Sequence, residues 1–324
     1  MTVLVTGGAG YIGSHMTHAL LDRGEKVVVL DNLSTGVRAL VAPEAAFVEG
    51  SVADGPLVAR ILREHAVDAV IHFAGSVVVP DSVADPLAYY ENNTVASRAL
   101  AAACIQGGVR HFIFSSTAAV YGEGLGEPAS ETSPTAPINP YGRSKLMTEW
   151  MLADIAAAHD FGYVALRYFN VAGADPRGRT GQSTPRATHL IKRACQVALG
   201  IYPALDIFGT DYPTPDGTGI RDYIHVSDLT AAHCLALDHL RNGGKPDVFN
   251  CGYGHGASVR EVVAAVEEAA GHPLAVRERS RRAGDPPALI ADPRKLIGLL
   301  GWKPEFDDLR EIVRSAYRWE SRRP

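Results

Sequence analysis

The chain has 324 residues, 46% of them apolar and 21% charged, enough to bury one large core or two joined ones in the manner of an ordinary soluble enzyme. Its 31 basic and 36 acidic side chains leave a net charge of −5. The only local charge cluster is Arg279, Arg281 and Arg282, so neither a nucleic acid nor a membrane surface is indicated as a partner. Cys104, Cys195, Cys234 and Cys251 are scattered among apolar residues and match no metal-ligand spacing; no metal is expected, and the thiols read as buried and reduced. A strand is predicted from the second residue and no apolar run reaches the roughly 18 residues of a membrane span, so the expected location is the cytoplasm.

Val3 to Val5 is a short β-branched run ended by glycine, which predicts a strand buried on both faces. In the turn that follows, Gly7 can bend the chain sharply, Gly10 presents backbone with no Cβ to hold a phosphate away, and Gly13 lets the helix predicted over Tyr11 to Asp22 lie close to the strand. That helix aims its free N–H groups at the turn, a place for the pyrophosphate of a dinucleotide. A second strand, Val27 to Leu30, leads into Asp31, 18 residues after Gly13. A carboxylate there accepts hydrogen bonds from ribose hydroxyls and repels a 2′-phosphate, so the expected cofactor is NAD rather than NADP. A solvated aspartate at a strand end is the plainer alternative.

Ala46 to Glu49 and Ala69 to Phe73 are predicted strands, with an amphipathic helix over Val58 to His65 between them. The second of these runs into Phe73-Ala74-Gly75, a small-residue turn that again brings backbone near the cofactor. A long helix is predicted from about Pro86 to Gln106, stopped by Gly107-Gly108, and a fifth strand over His111 to Ser116. The alternation predicts an α/β fold, a doubly wound parallel sheet of Rossmann type whose ligands lie beyond the carboxyl ends of the strands. Gly122 to Pro140 reads as a loop over that edge, Asn139-Pro140 as the start of a helix reaching about His159, and Tyr163 to Tyr168 as the sixth strand. Past Asn170, polar loops over Ala172 to Thr188 and Gly209 to Gly219 flank one helix and the short strand Asp206 to Phe208. The expected division is an NAD-binding domain over 1–170 and a smaller α/β substrate lobe over 171–324. Asp222 to Val226 and Val248 to Cys251 are candidate strands returning to the first domain, while Val259 to Ala270 and Leu309 to Trp319 are predicted helices of the second.

The strand ending Ser115-Ser116-Thr117 delivers a hydroxyl to the carboxyl edge, and Tyr141 and Lys145, four apart on the next helix, share one face. A free tyrosine, with a pKa near 10, is a poor base at neutral pH, but an adjacent ammonium and a positive nicotinamide ring both favour phenolate. Such a tyrosine can take a proton from a sugar hydroxyl held by Thr117 while hydride leaves the same carbon. Ala118 and Ala119, directly after Thr117, can do no acid/base work, which argues against the further proton transfers of a 4,6-dehydratase. A binding protein that merely senses NAD has no need of Thr117, Tyr141 and Lys145 together.

These residues resemble the extended short-chain dehydrogenase/reductase superfamily and, within it and over nearly the whole chain, the UDP-glucose 4-epimerases. The marks are Thr6 to His15, Leu30-Asp31-Asn32-Leu33, Ile71 to Gly75, Tyr141-Gly142-Arg143-Ser144-Lys145, Arg167-Tyr168-Phe169-Asn170 and the long run Asp216 to Val226. The resemblance implies a 4-epimerase acting on a UDP-hexose through a 4-keto intermediate with retained NAD, working as a homodimer through the segments 86–106 and 139–159. It implies a cofactor surface of Gly7, Gly10, Tyr11, Ile12, Gly13, Asp31, Asn32, Thr35, Gly36, Phe73, Ala74, Gly75, Asn92, Ser115, Tyr141, Lys145 and Phe169. It further implies substrate contacts from Thr117, Asn170, His189, Leu190, Phe208, Arg221, Arg282, Asp285 and Leu289. Two arginines suit a diphosphate and a phenylalanine suits stacking on uracil. The chain departs from many relatives at Val77, where a lysine is usual, at Ser51, where an aspartate is usual, and at His189, where an asparagine is usual. Leu289 stands where the family limits the space beside the sugar, with an aromatic for hexoses and a small side chain for N-acetylated ones. Leucine is intermediate, and plain packing in the second lobe is the other reading.

Overall fold

The computed structural model describes residues 1–123, 127–184, 187–282 and 285–322. Six strands come first: Thr2–Thr6 (β1), Lys26–Asp31 (β2), Ala46–Glu49 (β3), Ala69–His72 (β4), His111–Ser115 (β5) and Gly162–Tyr168 (β6). Eight shorter or later ones follow: Asn170–Ala172 (β7), Leu205–Phe208 (β8), Ile220–Arg221 (β9), Tyr223–His225 (β10), Asp247–Cys251 (β11), Ala257–Ser258 (β12), Val276–Arg279 (β13) and Ala288–Leu289 (β14). The main sheet has seven parallel strands in the order β11-β6-β5-β4-β1-β2-β3. Strand order reverses beside β1, the switch point at which doubly wound sheets hold their ligands.

Strand alternation builds two cores from one sheet. Val3, Val5, Val27, Val29, Ile71 and Ile113 face the helices Tyr11–Asp22 and Val226–Arg241, meeting Met16, Leu20, Leu229 and Leu237. Leu4, Val28, Leu30, Val70, Phe112 and Phe114 face the opposite way, onto Val58, Ile61, Leu100 and Leu152 from the helices Gly55–Glu64, Ala96–Gln106 and Pro140–Ala158. A third core, with Ile191, Ile207, Val262, Val266, Ile312 and Val313, belongs to the second lobe.

Three details differ from the sequence reading. Pro86 to Gln106 is not one continuous helix: Pro86–Tyr89 passes through a π turn at Tyr90–Val95 into Ala96–Gln106, and the widened turn carries Asn93 into the interior. Asp247–Cys251 does join the main sheet, beside β6, but Tyr223–His225 pairs with Asn170–Ala172 in a separate two-stranded sheet. The helix Val226–Arg241 has no counterpart in the prediction. Its alanine-rich sequence is buried on several sides, so the period-3.6 contrast is weak, and the apolar run before it masks its start.

Candidate active site

The glycine turn is built for close approach. Gly7 has φ +69°, and a Cβ on it would lie 2.7 Å from the Ala74 nitrogen; on Gly13 a Cβ would lie 2.2 Å from the Gly7 carbonyl oxygen. Side chains are excluded there by backbone, which leaves the N-terminal end of helix Tyr11–Asp22 open to an anion. Asp31, at the end of β2, is buried and accepts from Ala9 N at 2.9 Å on one oxygen and from Leu33 N at 2.8 Å on the other. Each oxygen keeps a further acceptor position for a ribose hydroxyl. Gly36 abuts the same carboxylate, a Cβ there falling 2.7 Å from Oδ1, and Val37 N bonds to Ala9 O at 2.8 Å, folding the 32–37 loop, with Asn32 and Thr35, onto the turn. Phe73 N donates to Thr6 O at 3.0 Å, setting the Phe73-Ala74-Gly75 turn across the end of β1. A cradle that backbone alone can line, with a buried carboxylate beside it, fits NAD.

Some expected contacts are already engaged by protein. Tyr11 donates to Gly173 O at 2.7 Å, tying the first helix to the second lobe. Ser115 Oγ is bonded to Tyr168 OH. Asn92 reaches Ser76 Oγ at 2.9 Å, while its neighbour Asn93, which the sequence reading missed, accepts from Ser76 N at 2.7 Å and donates to Ser144 Oγ at 3.0 Å. The π turn thereby couples the 73–76 turn to the helix of Tyr141; two adjacent asparagines before a helical run were the signal.

That helix begins at Pro140, with Asn139 Oδ1 accepting from Gly142 N at 2.9 Å. Burial holds the Tyr141 phenol above its ordinary value, and the neighbouring Thr117 hydroxyl works the other way. Thr117 Oγ1 also accepts from Ala119 N at 3.2 Å. Lys145 is buried, and its Nζ donates to Ser115 O at 2.9 Å and lies 5.0 Å above the Phe114 ring. Burial lowers the ammonium to about 8, and the charge of Glu149 works the other way. The ammonium bonds to the strand-end carbonyl rather than to Tyr141: a desolvated cation must be hydrogen-bonded, and β5 ends beside it. Thr117, Tyr141 and Lys145 are nonetheless gathered at the carboxyl edge.

The second lobe closes over this edge. A cleft lined by Tyr11, Asn170, His189, Leu190, Tyr223 and Trp319, among others, brings three of the expected substrate residues together and adds Tyr223, but Thr117, Tyr141, Lys145, Arg221 and Arg282 are not in its lining. Arg279 pairs with Asp206 and Arg281 with Asp211, whereas Arg282 lies 3.8 Å over the ring of Phe208. Arg221 stands 3.7 Å from Asp285. Leu289 is packed against a small buried cluster of Ala118, Val120, Tyr121, Ala129, Leu146, Phe169 and Ala291, which includes the neighbour of Thr117 in the chain. Among the described residues no cluster of His, Cys, Asp and Glu has metal-binding geometry, and no helix is long and apolar enough to cross a membrane.

A dinucleotide cradle, a Thr-Tyr-Lys group at the strand ends and a second lobe bearing arginines define an NAD-dependent enzyme of the extended short-chain dehydrogenase/reductase type. The model of the NAD dependent epimerase/dehydratase family matches residues 3–252, and the chain belongs to that family. It is 59% identical over 318 residues to the UDP-glucose 4-epimerase of Azospirillum brasilense, covering 98% of this chain and 91% of that one. Among solved structures, the UDP-glucose 4-epimerase from Brucella ovis in complex with NAD is 46% identical, with a TM-score of 0.96 and 98% of each chain covered. The UDP-Glc/GlcNAc 4-epimerase from Campylobacter jejuni is 48% identical, with a TM-score of 0.87 and 99% of each chain covered.

Proposed function

We propose that this chain interconverts UDP-glucose and UDP-galactose by epimerisation at C4, with NAD held throughout. The observation that carries the reading is Tyr141 beside Thr117 with Lys145 buried one turn away and bonded to Ser115 O at 2.9 Å, at the sheet edge beside the glycine cradle. Bound NAD supplies a hydride acceptor that returns the hydride within the same turnover. Thr117 holds the 4-hydroxyl, Tyr141 takes its proton, and Lys145 lowers the cost of the phenolate. The 4-keto sugar then turns about its linkage to the diphosphate, presenting the opposite face of C4 for reduction, and Tyr141 gives the proton back to O4. Asn170, His189, Leu190, Arg221, Arg282 and Asp285 grip the nucleotide. Arg282 covers Phe208, so a uracil seated on that ring displaces the guanidinium toward the diphosphate. Holding UDP firmly and the hexose loosely is what allows the turn.

The test is NMR of UDP-glucose incubated with the protein and no added NAD. UDP-galactose should accumulate to equilibrium; a protein that carries NAD and makes none is not this enzyme.

With this reading go three others. The first domain is 1–170 together with Val226–Arg241, β11 and the helix Arg294–Leu300 with Trp302, whose Leu296 and Trp302 lie in the first core, and the substrate lobe is built from the rest of 171–324, as the separate third core supports. A homodimer is supported by the exposed apolar side chains on the two expected helical segments: Leu87 at 77%, Val95 at 43%, Met147 at 40% and Trp150 at 59% exposure. A cytoplasmic location suits four cysteines that are all buried and free.

Sugar choice is proposed to rest on Leu289, a reading supported by its packing against the cluster that holds Ala118 and Phe169 and not in the third core. An acetamido group at C2 must pass this wall as the sugar turns, so the constraint acts on turnover more than on binding. UDP-glucose and UDP-galactose should turn over efficiently and UDP-N-acetylglucosamine slowly. Leu289→Ser should raise the N-acetylated activity and Leu289→Tyr suppress it, measured as the ratio of kcat/KM for the two sugars; an unchanged ratio in both variants rules the gate out.

A further inference from the structure

Behind the reacting residues lies a charged pair with no part in the chemistry above. Glu149 follows Lys145 by one helical turn, and both it and Arg167 of β6 are buried. Arg167 Nε donates to Glu149 Oε1 at 3.0 Å, Nη2 donates to Oε2, and Nη1 donates to Tyr121 OH at 3.0 Å. Tyr121 in turn donates to Asn250 Oδ1 at 2.7 Å. Glu149 also accepts from Ser116 Oγ. Ser116 stands between two residues of the site: Ser115, whose carbonyl receives Lys145 at 2.9 Å, and Thr117, which neighbours Tyr141. A buried ion pair adds little net stability over apolar side chains of the same volume, so its bond to the strand end calls for a different account.

We infer that Glu149 is a positioning residue for the epimerase reaction: braced by Arg167 and bonded to Ser116 Oγ, it fixes the 115–117 strand end that holds Thr117 and Lys145 in register with Tyr141. The inference rests on the proposed roles of Tyr141 and Lys145. The titratable groups that interact with Lys145 are Glu149, on its own helix, and His72, from β4; beyond them Tyr168 of β6 interacts with Tyr141 and Arg167 of β6 with Glu149. His72 is held neutral by burial and by Lys145 itself, and the Tyr168 phenol is kept protonated by burial. Glu149 is therefore the one anion in this group, and it opposes the desolvation that drives the proton off Lys145. Without it the ammonium loses its proton at lower pH, and the phenolate of Tyr141 loses its counter-charge.

Two variants separate the charge from the geometry, each assayed as holoenzyme by the pH dependence of kcat and KM for UDP-glucose. Glu149→Gln keeps the size and the polar ends but removes the charge. The alkaline limb of kcat is expected to move down by about one pH unit and kcat at neutral pH to fall about tenfold, with KM and NAD content unchanged. Ser116→Ala keeps the charge and cuts only the link to the strand end; kcat should fall about threefold with the alkaline limb where the unaltered protein has it. Ser116→Ala carries the test by itself if Glu149→Gln does not fold. An unmoved limb in Glu149→Gln, an unchanged kcat in Ser116→Ala, or losses confined to KM or NAD content would make the pair merely structural and overturn the inference. Retained activity in Tyr141→Phe would instead sink the reading of the site itself, a separate outcome.

Discussion

Replacing Tyr141 with phenylalanine is expected to lower turnover by roughly 10²- to 10⁴-fold, the usual loss when a positioned general base is removed. The change deletes one oxygen and nothing else. Asn139 still caps the helix through Gly142 N, and Lys145 still bonds to Ser115 O, so the scaffold around the missing hydroxyl remains. Thr117 keeps its bond to Ala119 N. NAD content and UDP affinity should therefore match those of the unaltered protein while kcat collapses. A Tyr141→Phe variant retaining more than about a tenth of the rate would not have lost its base.

The second large effect concerns acid. His15, His72, His225 and His233 are all buried and held neutral in the fold, His15 and His233 at about 4 and His72 and His225 at about 3, in each case chiefly because burial disfavours the charged ring. A second proton has no good place to go. In His225 the Nδ1 already accepts from Ser227 N at 3.1 Å, and in His15 and His233 the Nε2 faces no hydrogen-bond partner. In the unfolded chain the same rings take up protons as pH falls through about 6.5. Above that pH both states are neutral and no stability is lost; between about 6.5 and the folded values the unfolded state binds more protons and gains on the fold; below them the loss is complete. Each histidine contributes a slope of about 1.4 kcal/mol per pH unit within its window. Urea unfolding from pH 8 to pH 4 should be nearly flat at first and then fall steeply below pH 6.5. A midpoint unchanged down to pH 4.5 would mean that these rings are charged in the folded protein.

Both predictions depend on features of different legibility in the sequence. Gly7, Gly13 and Asp31 could be read directly because their roles come from backbone geometry over a few neighbouring residues. Gly13 must lack a Cβ to let the helix pass the Gly7 carbonyl, and Asp31 must end the strand that pairs with β1. Tyr141 and Lys145 were legible for the same local reason, since four residues along a helix are one turn. The histidines were not: His72 lies between Thr6 Oγ1 at 2.7 Å and Ser97 Oγ at 2.8 Å, partners 66 and 25 residues away in the chain.

The sequence by itself determined the alternating strands and helices of the first domain, the dinucleotide cradle and the Thr-Tyr-Lys group, because each rests on local spacing or on a contiguous motif, while the substrate contacts came only as what the family resemblance implies. Only the tertiary structure decided that β11 returns to the main sheet while β10 leaves it, that a π turn buries Asn93, that Arg282 covers Phe208 and that Leu289 packs against the cluster that holds Phe169 and Ala118. It alone set Glu149 against Ser116 and Arg167. These contacts join residues 18 to about 170 positions apart. Pairing at such distance is selected by which surfaces the whole chain can bury together, and no local periodicity encodes that choice.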